Sequence, residues 1–309
     1  MRPSRRAVIA MSAMTATLAG CGTSAGGRWQ QGRPVTLPGS RAVAMTDRHG
    51  TVRELFVGMP EGRPPAGGWP VLYLLDGNAT FPTALLLVRN LALRAGFEPA
   101  VVVGIGYPAG RAFDEGARAR DYTPPAPGLP ADGRHGGAEQ FLDFIAQDLQ
   151  PMIAAECAGD PQRQFLFGHS LGGLLVLHAL FTRPGLFAAH LAASPSIWWH
   201  DRQILSRLPA FIAGRSAVRP AVGPTEPIAV RLLLTVGELE QTPPPEMPAE
   251  RAALLRQRRQ VDSARELAAR LAGLPGVVCE LRELPGESHG TSMLPALQRA
   301  IEFTLAPAR

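Results

Sequence analysis

The chain contains no lysine: all 31 of its basic residues are arginine. No lysine-based chemistry is therefore open to it. Alongside abundant Ala, Gly, Pro and Leu, the bias reads as base composition rather than a demand for arginine. Cysteine is almost as scarce, with only Cys21, Cys157 and Cys279. That excludes a disulfide framework, and no Cys/His spacing resembles a zinc site. Cys157 and Cys279 either pair or stay two separate buried thiols, which their distant positions leave open. Charge is sparse at 18% of residues against 46% hydrophobic, which excludes a disordered chain and allows a sizeable core. The net charge of +5 overstates the basic excess. Arg2, Arg5 and Arg6 lie in a first stretch of twenty residues without an acid, and the remainder is close to neutral. A nucleic-acid partner is not expected. There is no internal repeat.

What is present begins with a leader. Arg2, Arg5 and Arg6 form a positive n-region and Ala7 to Ala16 a short apolar segment, too short to span a bilayer comfortably. Leu18-Ala19-Gly20-Cys21 resembles the lipobox of bacterial lipoproteins, which implies cleavage after residue 20 and a lipid on Cys21. Ser4-Arg5-Arg6-Ala7-Val8-Ile9 faintly resembles a twin-arginine export signal. Residues 21–39, rich in Gly, Ser and Gln, read as a tether. The expectation is an exported, periplasm-facing cell-envelope lipoprotein, held at the membrane by its lipid anchor, with residues 40–309 as a single domain.

Within that domain, Arg41 to Thr46 and Thr51 to Met59 predict a β-hairpin. The apolar runs Val71 to Leu75 and Ala100 to Ile105 predict strands buried on both faces. Phe81 to Arg94 reads as a helix with Pro82 in its first turn. Residues 108–137 carry five prolines and no periodicity, so they read as a long active-site loop. Helical spacing returns over Glu139 to Cys157. Further on, His190 to Ala193 reads as a strand, Gln203 to Ala213 as a helix, and Gly214 to Pro227 as an irregular insertion. Ile228 to Val236 and Val277 to Leu284 read as strands, Ala249 to Leu271 as one long helix, and Pro295 to Leu305 as the last helix. Strands alternating with helices predict an α/β fold with a mostly parallel sheet covered on both faces.

The chemistry centres on Gly168-His169-Ser170-Leu171-Gly172-Gly173, preceded by the apolar run ending at Phe167 and followed by Leu174 to Leu177. A serine framed by glycines between strand and helix matches a nucleophile elbow, where the tight turn leaves no room for Cβ atoms at Gly168 and Gly172. A serine hydroxyl needs a base, and the base needs a partner to fix its tautomer. His289, in Pro285-Gly286-Glu287-Ser288-His289-Gly290 after the last strand, is the expected base. Glu240 is the expected acid, with Glu238 as its alternative in Gly237-Glu238-Leu239-Glu240. His169 and His178 read as structural. The oxyanion donors are assigned to the backbone N–H groups of Leu171 and Asn78, the latter in Asp76-Gly77-Asn78-Ala79.

The combination of Leu74-Leu75-Asp76-Gly77-Asn78, Arg120-Asp121-Tyr122-Thr123-Pro124, the Ser170 elbow, Ser194-Pro195-Ser196-Ile197-Trp198-Trp199 and Ser288-His289-Gly290 resembles the esterase D-like family. Within that family the resemblance is greatest to esterases of ferric enterobactin and salmochelin. It covers roughly residues 40 to 305. It implies an α/β-hydrolase fold with an N-terminal antiparallel hairpin, hydrolysis of ester or lactone bonds of a ferric siderophore, and no cofactor. Some members lack a well-placed acid, which leaves a Ser–His dyad as the alternative to a triad through Glu240. A bulky, aromatic, anionic substrate calls for aromatic and cationic surfaces, and Arg120, Tyr122, Trp198 and Trp199 are the candidates. The competing readings are a general carboxylesterase or acyltransferase on the same scaffold, and a lipoprotein that binds a siderophore without turnover.

Overall fold

The computed structural model describes residues 35–108, 110–130, 132–216 and 230–306. The leader, Cys21 and most of the expected insertion at 214–227 lie outside the described residues. Among the described residues, eight strands form one sheet: β1 (Ser40–Thr46), β2 (Val52–Gly58), β3 (Trp69–Leu75), β4 (Val101–Gly106), β5 (Gly159–His169), β6 (Ala189–Ala193), β7 (Val230–Gly237) and β8 (Val277–Leu284). Their spatial order is β1-β2-β4-β3-β5-β6-β7-β8. β1 and β2 pair antiparallel, β2 meets β4 antiparallel, and every later pairing is parallel. This is the α/β-hydrolase fold with its N-terminal hairpin.

The helices are α1 (Gly77–Ala92), α2 (Glu115–Tyr122), α3 (Ala138–Phe144), α4 (Gln150–Cys157), α5 (Leu171–Thr182), α6 (Trp199–Arg202), α7 (Leu208–Ser216), α8 (Ala249–Arg258), α9 (Gln260–Leu271) and α10 (Met293–Leu305). Strand side chains alternate between faces, so the sheet divides the core in two. On one face Leu72, Leu74, Phe165, Phe167 and Leu233 pack with residues of α1 and α10 such as Leu85 and Ile301. On the other, Val71, Tyr73, Leu166 and Leu232 pack with Phe141, Ile153, Leu175 and Leu267. The nearly unbroken apolar runs of β3 and β4 follow from this double coverage.

Three local expectations are corrected. α1 starts at Gly77, not Phe81, because Asp76 adopts φ 53° and turns the chain from strand into helix at once. Pro82 therefore sits inside the helix rather than in its first turn. The loop at 108–137 contains α2, capped by the Asp114 carboxylate accepting from the Ala117 N–H at 3.0 Å. Its buried face is Arg118, Asp121 and Tyr122, so it shows no apolar periodicity. The long helix at 249–271 is two, α8 and α9, broken where Arg259 takes φ 48°. The stretch from Ala138 to Cys157 also carries a π-helical segment over Ile145–Leu149. Cys157 and Cys279 are both free.

Candidate active site

Three strand ends bring the site together. β5 ends at His169, and Ser170 follows with φ 61° and ψ −116° before α5 begins. Gly168 is sterically required there: a Cβ on it would lie 2.4 Å from the Gly172 carbonyl carbon. Gly173 is required as well, since its Cβ would lie 2.8 Å from the Ala193 oxygen. Gly172, expected to be the second essential glycine, would meet nothing closer than a Leu75 side-chain carbon at 3.3 Å. The turn is pinned by the Ser170 N–H donating to the Ala193 carbonyl at 3.0 Å and the Ser196 N–H donating to the Ser170 carbonyl at 3.1 Å.

The Ser170 Oγ lies 3.0 Å from His289 Nε2, and His289 Nδ1 lies 2.6 Å from Glu240 Oε2. Glu240 follows β7 in a short 3₁₀ turn and is buried. Its Oε1 accepts from the Gly237 N–H at 2.7 Å and from the Ser194 hydroxyl at 2.5 Å. The Ser292 hydroxyl lies 3.4 Å from the same oxygen. Burial alone would raise the Glu240 pKa. The His289, Ser194 and Gly237 hydrogen bonds outweigh burial and hold it below the usual carboxylate range, so the group is ionised beside the imidazole. Glu238 points elsewhere: it is exposed and accepts from the Gly286 N–H at 2.9 Å, tying β7's loop to that of His289.

His169 lies against the base, its ring centroid 4.7 Å from that of His289. Burial, then the neighbouring His289, push its pKa down to about 4, so it stays neutral near neutrality. The residue next to the elbow serine thus packs against the imidazole instead of pointing away from the reaction centre.

The two expected oxyanion donors occupy first turns of helices, Asn78 in α1 and Leu171 in α5, where N–H groups have no intrahelical acceptor. The turns are adjacent: a Cβ at Gly172 would sit 3.5 Å from the Leu75 Cβ and 3.8 Å from Asp76 Oδ2. The Asn78 carboxamide is fixed on Tyr107, accepting from its N–H at 2.9 Å and donating to its carbonyl at 3.1 Å. Asp76 is fixed in turn, its carboxylate accepting from Arg118 Nε at 2.8 Å and its N–H donating to the Tyr122 hydroxyl at 3.1 Å. Burial raises the Asp76 pKa to about 6 despite Arg118.

Of the expected substrate-contacting residues, Trp198 alone lines the cleft beside His289. Tyr122 is fully buried beneath the Asp76 turn and presents no surface to a ligand. Trp199 is largely buried in the main core cluster, beside His135 and His200. Arg120 is held by the carboxylate of Asp121, with contacts of 2.7 and 3.1 Å. Sequence reasoning missed Ser194, Ser292 and the Asp76–Arg118 pair. The strand-end motif Ser194-Pro195-Ser196 was a signal for the first; a buried arginine on a polar helix leaves none.

An α/β-hydrolase sheet carrying a serine, a histidine and a carboxylate in hydrogen-bonded series defines a serine hydrolase site. Residues 46–273 match the family described as "Putative esterase", and the chain belongs to that family and is a carboxylic ester hydrolase. It is 40% identical over 288 residues to the ferri-bacillibactin esterase BesA of Bacillus subtilis, covering 88% of this chain and 91% of that protein. It is 39% identical over 254 residues to a siderophore enterobactin esterase of Emericella nidulans, covering 75% and 80% respectively. Among solved structures, the siderophore hydrolase EstB from Aspergillus nidulans superposes with a TM-score of 0.80 at 32% identity, covering 90% of this chain and 100% of that one.

Proposed function

We propose that this esterase opens the ester or lactone bonds of a ferric catecholate siderophore and so helps release its iron. The observation that carries the reading is the unbroken series Ser170–His289–Glu240, at 3.0 and 2.6 Å. The names of its siderophore-hydrolysing relatives support the substrate class.

Ser170 Oγ attacks the ester carbonyl carbon while its proton passes to His289 Nε2. The carbonyl oxygen takes on negative charge facing the N–H groups of Leu171 and Asn78, each contributing about 3–4 kcal/mol to that state. As the tetrahedral intermediate collapses, the C–O bond to the leaving alkoxide breaks and His289 returns the proton to it. Water then repeats the sequence on the acyl-serine. Glu240 keeps the Nδ1 proton in place and stabilises the imidazolium at each step. The leader and Cys21 support an envelope-anchored protein facing the periplasm; acyl labelling of the expressed chain should disappear in Cys21→Ala.

The reading is tested by mass spectrometry of products from a small panel of ferric siderophores. Ring-opened ester-linked oligomers and monomeric catecholate hydroxy acids are expected with the wild type and none with Ser170→Ala. Equal products from both proteins would defeat the mechanism, and hydrolysis of simple acyl esters alone would defeat the substrate assignment.

A further inference from the structure

Helix α8 turns a cationic face toward the reaction centre. Arg251 and Arg258 are two helical turns apart and share that face, with Leu254 and Leu255 between them. These four residues, Trp198 and His289 line one cleft of about 420 Å³. Three neighbouring arginines are occupied: Arg202 holds Glu266 at 2.8 Å, Arg259 holds the same carboxylate at 2.6 Å, and Arg265 holds Glu283 at 2.6 Å. Among the described residues, neither Arg251 nor Arg258 has a carboxylate within 4.0 Å. The Arg258 guanidinium lies 4.2 Å from the centre of the Trp198 ring, and its buried Nε has no hydrogen-bond partner. Burial also lowers its pKa, the mark of a cation short of counter-charge. The acid bordering this cleft, Glu240, already has its oxygens engaged by His289, Ser194 and Gly237.

A half-buried cation resting on an indole, with a donor unused, is stabilised when an anion enters beside it. A planar guanidinium can donate two parallel N–H bonds to adjacent oxygens of an arene while the arene packs on the apolar wall. We infer that Arg258 and Arg251, with Trp198, form the subsite for an anionic aromatic group of the substrate, so that α8 rather than Arg120 discriminates charged from neutral esters. The inference rests on the Ser170 site being the esterase site. It assigns the catecholate arms of a ferric siderophore to this wall of the cleft.

The test compares kcat/KM for 4-sulfophenyl butyrate with that for phenyl butyrate, a pair differing in charge at the arene. The wild type should prefer the sulfonated ester, and added salt should shrink that preference. In Arg258→Gln and Arg251→Gln the ratio should fall by about tenfold, the scale of one charge-assisted contact. Arg258→Lys should keep part of it. Because the ratio is internal to each protein, partial loss of folded material does not alter it. An unchanged ratio in both glutamine variants, or the same fall produced by Arg120→Gln instead, overturns the assignment. A parallel assay with a ferric tris-catecholate trilactone separates the two readings. Failure of the wild type to open it, with the sulfonated preference intact, defeats the siderophore reading and leaves the subsite standing. Turnover of the trilactone with an unchanged ratio does the reverse.

Discussion

The two edges of the sheet solve the same geometric problem with different residues. At the C-terminal edge, three parallel strands end in non-glycine residues at positive φ: Asp76 after β3 (53°), Ser170 after β5 (61°) and Ser194 after β6 (42°). At the opposite edge the turns rely mainly on glycine, with Gly68 at 95° before β3 and Gly276 at 66° before β8; Ala158 at 50° before β5 is the exception. A non-glycine residue in such a conformation costs about 1–3 kcal/mol. Glycine would relieve that cost at the C-terminal edge. It would also remove the carboxylate that Arg118 grips, the hydroxyl facing His289, and the hydroxyl donating to Glu240. Strain persists where a side chain is needed and is relaxed where only the turn is needed.

The largest effect expected from this contrast lies within one loop. Glu240 and Glu238 are two residues apart, yet one is buried against the base and the other is exposed. Glu240→Gln keeps the shape but loses the charge that fixes the His289 tautomer. It should lower kcat/KM on an activated ester by about 10³–10⁴. Glu238→Gln gives up one exposed hydrogen bond and should cost less than about threefold. Comparably large losses would mean that the loop acts as a unit, and comparably small ones that the site works as a Ser–His dyad.

How much of this was legible in the sequence follows from the same contrast. The elbow, the late histidine and the buried strands depend on local rules, namely glycine spacing, position after the last strand and apolar runs, and each is visible in a few consecutive residues. The Asp76 turn was legible only in part. Its motif was plain, but the left-handed conformation that starts α1 at Gly77 depends on Arg118 and Tyr122, more than forty residues away. α2 itself was invisible because its buried residues are polar and pair through long-range contacts, such as Asp121 with Arg53 at 2.7 Å. Trp198 and Trp199 are adjacent and chemically identical; the irregular turn of α6, with His200 and Asp201 at positive φ, sends one to the cleft and the other to the core. No single-residue property separates them.

The glycine edge supplies the next test. A Cβ at Gly68 would stand 2.6 Å from the Ala158 oxygen and 2.9 Å from the Asp160 nitrogen, on a φ that side chains avoid. Gly68→Ala should therefore lower unfolding free energy by about 2 kcal/mol or more in urea titrations, with kcat unchanged. The mirror experiment, Ser170→Gly, should raise stability by about 1 kcal/mol while abolishing turnover. If Gly68→Ala proved neutral, the turns of that edge would be pliable and the contrast would not be steric.

The last test concerns two buried histidines, one toward each edge, whose effect is spread over several pH units. Burial pushes His190, in β6, down to about 3, and His169 down to about 4. Both lie below the unfolded value of about 6.5. At any pH between those limits the unfolded chain binds protons that the folded chain refuses, so stability is full above about 6.5 and falls as the pH drops. Each histidine contributes at most about 1.4 kcal/mol per pH unit over its own window. Asp76, raised to about 6, acts in the opposite direction, gaining its proton more readily in the folded state. Asp76 and His169 are unaltered in His190→Leu, so their contributions cancel when that variant is compared with the wild type. The wild type should lose stability relative to the variant steadily from pH 6.5 to 4, measured by urea titration at each pH. Parallel curves would mean that His190 accepts its proton in the folded state, and that the sheet interior around β6 admits charge.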